Sequence, residues 1–220
     1  MQPRFLIVDD HPLFLNAIQL AVLGAYPQAK IYEASTIEAA RKQISANDSF
    51  DLVLLDLSLP GTTGFDGLLE LRTLHPKIPI VIISALEDPR IIHEAMSYGA
   101  SGFISKAVRR GELEKALQDV MAGSVTLPAN YRPPENTGDA SENSELAVRL
   151  TSLTPQQLRV LKMLRQGMLN KQIAYELRVG ETTVKAHVSE ILRKLNVSSR
   201  TQAVIQVAKI DFGQVLEAND

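Results

Sequence analysis

The chain has no cysteine and no tryptophan, and only 5% of its 220 residues are aromatic. Without cysteine there is no disulfide framework and no thiolate metal site. No apolar stretch approaches the ~18 residues of a membrane span. Met1-Gln2-Pro3-Arg4 leads straight into an apolar strand, with none of the apolar core and small-residue cleavage site of a signal peptide. These absences point to a cytoplasmic protein with no membrane partner. What is present is a globular composition, 45% hydrophobic and 22% charged, in a length that suits one large domain or two small ones.

Charge is unevenly placed. Residues 1–125 carry 11 Lys/Arg against 15 Asp/Glu, net −4, whereas residues 151–220 carry 10 against 6, net +4. A basic C-terminal piece on an acidic body points weakly to nucleic acid, because a charged helix face is more often simply solvated.

The first half alternates strand and helix five times. The stretch Val53-Leu54-Leu55-Asp56-Leu57-Ser58-Leu59-Pro60 begins as an apolar run and ends on a carboxylate before Pro60-Gly61, as a fully buried strand of a parallel sheet does. Arg4 to Val8, Lys30 to Ala34, Ile80 to Ser84 and Gly102 to Ser105 read as further strands. Helices are expected from Pro12 to Leu23, Ile37 to Ile44, Phe65 to Leu74, Arg90 to Tyr98 and Glu112 to Met121. The pattern predicts a doubly wound five-stranded parallel sheet with right-handed crossovers. Asp9, Asp10, Asp56, Ser84 and Lys106 then stand at strand ends on one edge, where ligands of open α/β sheets bind. Three carboxylates together repel one another and need a cation, and hard oxygen ligands suit Mg²⁺. An ammonium and a hydroxyl can hold phosphoryl oxygens, and one carboxylate remains as a nucleophile for phosphoryl transfer. Singly, each residue has a plainer role: Asp10 as a helix cap, Ser84 as the start of a loop, Lys106 as a solvated cation.

Residues 4–122 resemble the receiver domain of two-component response regulators. The matching pieces are Val8-Asp9-Asp10-His11, Leu55 to Gly61 with Gly64, Ser84-Ala85, and Gly102-Phe103-Ile104-Ser105-Lys106. The resemblance implies that Asp56 accepts phosphate from a histidine kinase. It implies that Asp10, Asp56 and the Ser58 carbonyl bind Mg²⁺, with Asp9 assisting through water. Ser84 would be the hydroxyl switch and Phe103 the aromatic one, turning inward on phosphorylation. The sequence departs from the family pattern at Thr63, where an acidic or amide residue is frequent, and at Ala107, where proline is.

Residues 124–150 lose apolar periodicity and collect Pro128, Pro133-Pro134, Gly138 and a run of Asp, Glu, Asn and Ser. They read as a linker between a domain at 1–123 and another at 151–220, mobile around Pro133 to Glu145.

The second half is all-helical, with four helices expected. Thr154-Pro155-Gln156-Gln157 is a capping box with proline at the first helical position. A helix from Asn170 to Leu177, a turn at Arg178-Val179-Gly180 and a longer helix from Glu181 form a helix-turn-helix, and Arg200 to Lys209 makes the fourth helix. On the longer helix Val184, Val188, Ile191, Leu192 and Leu195 form one apolar stripe. Thr182, Lys185, Ala186, Ser189 and Arg193 face away from it. Small side chains let a backbone approach a major groove, and lysine reaches guanine acceptors. Residues 159–200 hold 9 Lys/Arg against 3 Asp/Glu, which suits phosphate contacts.

Residues 153–208 resemble the DNA-binding domain of NarL/LuxR-type regulators, through Leu153-Thr154-Pro155, Asn170-Lys171-Gln172-Ile173-Ala174, Thr183 to Val188, Ile191 to Leu195 and Ser198 to Ala203. By that resemblance Lys185, Ala186 and Ser189 face bases, while Asn170, Lys171, Thr183, His187, Arg193 and Lys194 lie near phosphates. Gln157 and Arg159 stand where Glu is usual, so the family's internal ion pairing is not expected intact, and Arg178 and Gly180 replace a usual Gly and Ser. Ala203, Val204 and Val207 are expected to form a symmetric contact in a homodimer reading half-sites about one helical turn apart. The expected function is phosphorylation-controlled DNA binding and transcription control, with a kinase, DNA and in principle RNA polymerase as partners. No enzyme activity is expected beyond the receiver's own phosphotransfer and autodephosphorylation. Two other functions share part of the pattern. Phosphatases of the haloacid dehalogenase type also use a strand-end Asp, but carry a second Asp two residues on, where this chain has Ser58. A receiver acting only as an unphosphorylated interaction module would have little use for the intact acidic set.

Overall fold

The structure, a computed structural model, describes residues 2–47, 49–133, 145–146 and 148–208. The chain divides into two compact units between Thr137 and Gly138.

The first unit alternates β1 (Arg4–Val8), α1 (Pro12–Ala25), β2 (Lys30–Ala34), α2 (Ile37–Ala46), β3 (Leu52–Leu55), α3 (Asp66–Leu74), β4 (Ile80–Ser84), α4 (Pro89–Ser97), β5 (Gly102–Ser105) and α5 (Arg110–Met121). The strands form one parallel sheet in the order β2-β1-β3-β4-β5. Every residue of β3 and β4 is buried, which is why those strands read as unbroken apolar runs rather than alternating ones. On one face Phe5, Ile7, Leu52, Leu54, Val81 and Ile83 join Ile18 and Val22 of α1 and Leu113, Leu117 and Val120 of α5 in a single core.

Register brings the functional edge level. Val8 pairs with both Ala34 and Leu55, Leu55 with Ile82, and Ser84 with Ser105. The ladder continues one residue further at three places: the Asp9 amide donates to Ala34 (3.0 Å), that of Asp56 to Val8 (2.9 Å) and that of Lys106 to Ser84 (2.8 Å). These bonds hold the backbone under each strand-end side chain. The N-cap of α1 is His11, without a side-chain cap bond, so Asp10 is not a helix cap. Thr36 and Asp88 do cap α2 and α4 through their side chains.

The chain beyond α5 stays on this unit as far as Tyr131. Thr126 bridges to Gly102, and its carbonyl accepts the Phe103 amide at 2.8 Å. A Cβ at Gly102 would stand 3.0 Å from that carbonyl oxygen, so the close approach calls for glycine there. The Tyr131 hydroxyl lies 3.5 Å from His93 Nδ1 on α4. Residues 134–144 of the expected linker lie outside the described residues.

Burial also perturbs α4. Desolvation pushes the Glu94 carboxyl up to about 7, with the Arg90 guanidinium opposing and Asp88 adding to the shift. Its pKa is raised in the folded state, so its contribution to stability is complete below the ordinary carboxylate range and is lost as pH rises through about 7. Glu94→Gln should therefore match the wild type near pH 4 and exceed it by about 2 kcal/mol near pH 8, read by urea unfolding at both pH values. Equal stabilities at pH 8 would show that Glu94 ionises without cost.

The second unit is helical: α6 (Pro155–Arg165), α7 (Asn170–Leu177), α8 (Glu181–Leu195) and α9 (Arg200–Ala208). Thr154 and Gln157 form the expected capping box, Gln157 N to Thr154 Oγ1 at 3.2 Å and Thr154 N to Gln157 Oε1 at 3.0 Å. Val160, Leu161, Leu164, Ile173, Val184, Ile191, Leu195, Ala203 and Val207 are buried. The turn between α7 and α8 is made by Arg178 in the left-handed region, φ 53°. A non-glycine residue there carries a cost of about 1 kcal/mol, which accounts for the family's usual glycine.

Candidate phosphoacceptor pocket and DNA-binding helix

At the carboxyl edge of the sheet, Asp9 and Asp56 are almost completely buried. Two buried carboxylates side by side are unfavourable without a cation. Lys106 supplies it: its Nζ lies 2.7 Å from Asp9 Oδ2 and 2.8 Å from Asp56 Oδ2, and 4.6 Å from the centre of the Phe14 ring. Burial works to lower the Lys106 pKa, but the hydrogen bonds and charges of Asp56 and Asp9 outweigh it and raise it. Lys106 is thus held charged. Asp56 Oδ1 accepts the Ser58 amide at 3.2 Å. A cavity of about 570 Å³ opens above, lined by His11, Leu13, Phe14, Asp56, Ser58, Ala85 and Lys106.

Asp10 is partly exposed and completes the acidic set. Its Oδ1 is shielded from solvent and, among the described residues, accepts no hydrogen bond, with His11 Nδ1 3.0 Å away. Ligand atoms of Asp9, Asp10, His11 and Asp56 all lie within 4.8 Å of one another. Three converging carboxylates, among them the Asp10 oxygen without a hydrogen bond, fit a divalent cation. His11 is the member that sequence reasoning missed, although its position directly after Asp9-Asp10 was the available signal.

Ser84 is fully buried, and its Oγ accepts the Leu86 amide at 3.1 Å. Ser105 Oγ donates to Glu87, which ties the loops after β4 and β5 together. Phe103 departs from its expected role. It is already fully buried, in a strand covered by residue 126, and lines a cavity of about 530 Å³ with Leu127, Pro128, Ala129 and Asn130. Its ring is therefore already inward, the position expected of it only on phosphorylation.

In the second unit α7 and α8 pack on each other through the buried Ile173, Ala174 and Val184. Thr182, Thr183, Lys185, Ala186, Ser189 and Arg193 are exposed on α8, His187 is half-buried, and on α7 Lys171 is exposed with Asn170 half-buried. Among the described residues Lys185 and Arg193 make surface pairs with Glu181 and Glu190, which a phosphate or base can replace at little cost.

Residues 5–118 match the family described as the response regulator receiver domain, and residues 151–207 match the bacterial regulatory proteins of the luxR family. The chain belongs to the NarL/LuxR-type response regulators. This regulator is 43% identical over 213 residues to the glycerol metabolism activator of Pseudomonas putida, covering 95% of this chain and 96% of that protein. It is 31% identical over 202 residues to the nitrate/nitrite response regulator protein NarL of Escherichia coli, covering 92% and 93%. The RcsB regulator of Salmonella enterica serovar Typhimurium, solved bound to a promoter with a phosphomimetic, superposes with a TM-score of 0.51 at 20% identity over 96% of this chain and 100% of that one. That likeness shows the shared fold. The regulator is thus a two-component protein with a receiver and a DNA-binding domain, and among the described residues no helix is long and apolar enough to cross a membrane.

Two expected roles in the DNA-binding unit are corrected. Lys194 is not a free cation for phosphate: its Nζ donates to the Ser152 carbonyl at 2.7 Å and to Gln157 Oε1 at 2.9 Å. Glutamine at 157 thus keeps by a hydrogen bond the internal tie that a carboxylate would make by charge. Ala203 and Val207 face the domain's own core, 0% and 4% exposed, and cannot form a dimer surface. Of the expected trio only Val204 is partly exposed, beside Ile205 at 55%. Lys209 lies outside the described residues.

Proposed function

We propose that this regulator takes a phosphoryl group on Asp56 from a histidine kinase and that the modification controls its affinity for DNA. The observation that carries the reading is the Lys106 ammonium held between the buried carboxylates of Asp9 and Asp56 at the floor of an open cavity. In the transfer, an Asp56 oxygen forms a bond to phosphorus, the bond from phosphorus to the kinase imidazole breaks, and the imidazole, protonated on its other ring nitrogen, keeps the bonding pair and leaves neutral. Lys106 follows a phosphoryl oxygen, and the Ser58 amide stays on the aspartyl group. Asp9 and Asp10 with Asp56 and the Ser58 carbonyl would hold Mg²⁺, which when bound would offset the charge of the phosphoryl oxygens. Ser84 Oγ accepts the Leu86 amide and can still donate its own O–H to a phosphoryl oxygen, which couples the loop before α4 to the phosphoryl group. That is a local charge event acting on a two-state element.

On DNA, Lys185, Ala186 and Ser189 with Thr182 read base edges. Asn170, Lys171, Thr183, His187 and Arg193 hold phosphates. Two copies pair on half-sites one helical turn apart, with Val204 and Ile205 offering the apolar outer face of α9. Thr126 and Tyr131 keep the chain on the receiver unit, which supports a domain boundary later than residue 124.

The test is fluorescence anisotropy of the full chain on a duplex selected from a random pool by the beryllofluoride-bound protein. With Mg²⁺, beryllofluoride should raise affinity by on the order of tenfold, about 1.4 kcal/mol. Equal affinity with and without the phosphoryl mimic would mean that phosphorylation does not gate DNA binding.

A further inference from the structure

We propose that residues 125–131 form a strap that holds the start of the linker on the receiver, and that a phosphoryl group on Asp56 releases it. The proposal rests on the reading of Asp56 as the phosphoacceptor, and it assigns the contact that carries the change from that pocket to the linker.

The strap runs along an edge of the sheet. β5 is the last strand in the order β2-β1-β3-β4-β5, and the outer side of an edge strand is open to an added segment. Thr126 takes a single parallel bridge there, to Gly102, and its carbonyl accepts the Phe103 amide at 2.8 Å. This is strand addition in its smallest form. The Tyr131 amide then donates to the Pro128 carbonyl at 2.9 Å, a turn that brings the Tyr131 ring to α4.

The other contacts are long. Thr126 Oγ1 stands 3.5 Å from the Ala116 carbonyl, and the Tyr131 hydroxyl 3.5 Å from His93 Nδ1, the outer limit of a hydrogen bond. Val125 is 63% exposed. Leu127, Pro128, Ala129 and Asn130 border the cavity of about 530 Å³, so on that side they lack packing partners. Among the described residues one short bond thus ties the strap to the sheet, and a segment held in this way opens at low cost.

The same cavity reaches toward the phosphoacceptor edge, because Phe103, Ser105 and Glu87 also line it. Ser105 Oγ donates to Glu87 and accepts the Ala107 amide at 3.0 Å. Glu87 follows Leu86, whose amide is held by Ser84 Oγ, and Lys106 follows Ser105. A phosphoryl group that draws on both Ser84 and Lys106 therefore pulls at both ends of the tie between Ser105 and Glu87. Loss of that tie lets the cavity wall shift, and the Phe103 amide leaves Thr126 with it. Released, the seven strap residues add about 24 Å to the tether of the DNA-binding unit, at ~3.4 Å per residue. Half-sites stand about 34 Å apart, so the added length helps two units pair while their receivers remain separate.

The experiment follows amide hydrogen exchange by NMR in the full chain with Mg²⁺, with and without beryllofluoride. The Phe103 and Tyr131 amides should exchange on the order of tenfold faster with the mimic, while amides of β3 keep their rates. Gly102→Ala is measured alongside. Its Cβ would stand 3.0 Å from the Thr126 carbonyl oxygen, which displaces the strap and leaves the pocket residues in place. Without the mimic this variant should exchange Phe103 as fast as mimic-bound wild type and bind the selected duplex within about twofold of it. The proposal is overturned if the mimic shifts the Ser84 and Lys106 resonances but leaves Phe103 exchange unchanged. It is equally overturned if Gly102→Ala frees that amide and DNA affinity stays at the unmodified level. Should the variant fail to fold, the wild-type exchange comparison decides alone. Failure of the phosphoacceptor reading has its own signature: the mimic then shifts neither Ser84 nor Lys106, which removes the trigger and the proposal with it.

Discussion

Asn in place of Asp56 is expected to abolish labelling of the full chain by a small acyl phosphate, a loss of at least about a hundredfold, because the amide keeps the shape and removes the nucleophile. The geometry makes this an unusually clean substitution. The Asn carbonyl can still accept the Lys106 ammonium, now 2.8 Å from Asp56 Oδ2, and Asp9 keeps its own pair with the same ammonium at 2.7 Å. One of three crowded negative charges is lost, so without Mg²⁺ the variant should unfold at the same or higher denaturant concentration than wild type, by up to about 1 kcal/mol. Phosphate-affinity electrophoresis reads the first effect and urea unfolding the second. Label persisting at the wild-type level would remove Asp56 from its role; a large loss of stability would mean that the loss of label reflects misfolding. Asp10→Ala separates the parts differently, since it removes a metal ligand and leaves the nucleophile. Its labelling should recover at high Mg²⁺.

The two lysines of α8 should behave oppositely. Lys185 is 64% exposed and, among the described residues, pairs with Glu181 one turn earlier, a surface contact worth a few tenths of a kcal/mol. Lys185→Ala should leave stability nearly unchanged. It should cost ~1–3 kcal/mol on the selected duplex and relax base preference at one position. If specific and random DNA lose equally, Lys185 contacts phosphate alone. Lys194→Ala should act on the fold instead. It strips the Ser152 carbonyl and the buried Gln157 of a charged donor, a loss of about 1–3 kcal/mol in the unfolding of the DNA-binding unit. The salt dependence of DNA binding by the folded protein should stay as in wild type. A slope flatter by about one unit would instead return Lys194 to the phosphate contacts.

The sequence by itself determined the alternation of strands and helices, the helix-turn-helix, the capping box at Thr154 and the edge on which Asp9, Asp10, Asp56, Ser84 and Lys106 meet. All of these are local or periodic properties. A buried parallel strand has to be an apolar run, and its carboxyl end has to be the next polar residue, so β3 and Asp56 are legible without any partner in view. Tertiary structure alone decided what each face meets. A helical period shows that Ala203 and Val207 share a side of α9, but only the fold shows that this side covers the core and leaves Ile205 outside. Likewise Lys194 and Gln157, 37 residues apart, find each other only once α6 and α8 pack. Phe103 loses its access to solvent because the chain returns after α5 and places Thr126 beside Gly102. His11 enters the acidic pocket because its amide folds back onto Asp9. In each case the deciding contact is either distant in sequence or set by one loop's dihedral angles, and neither leaves a periodic trace in the order of residues.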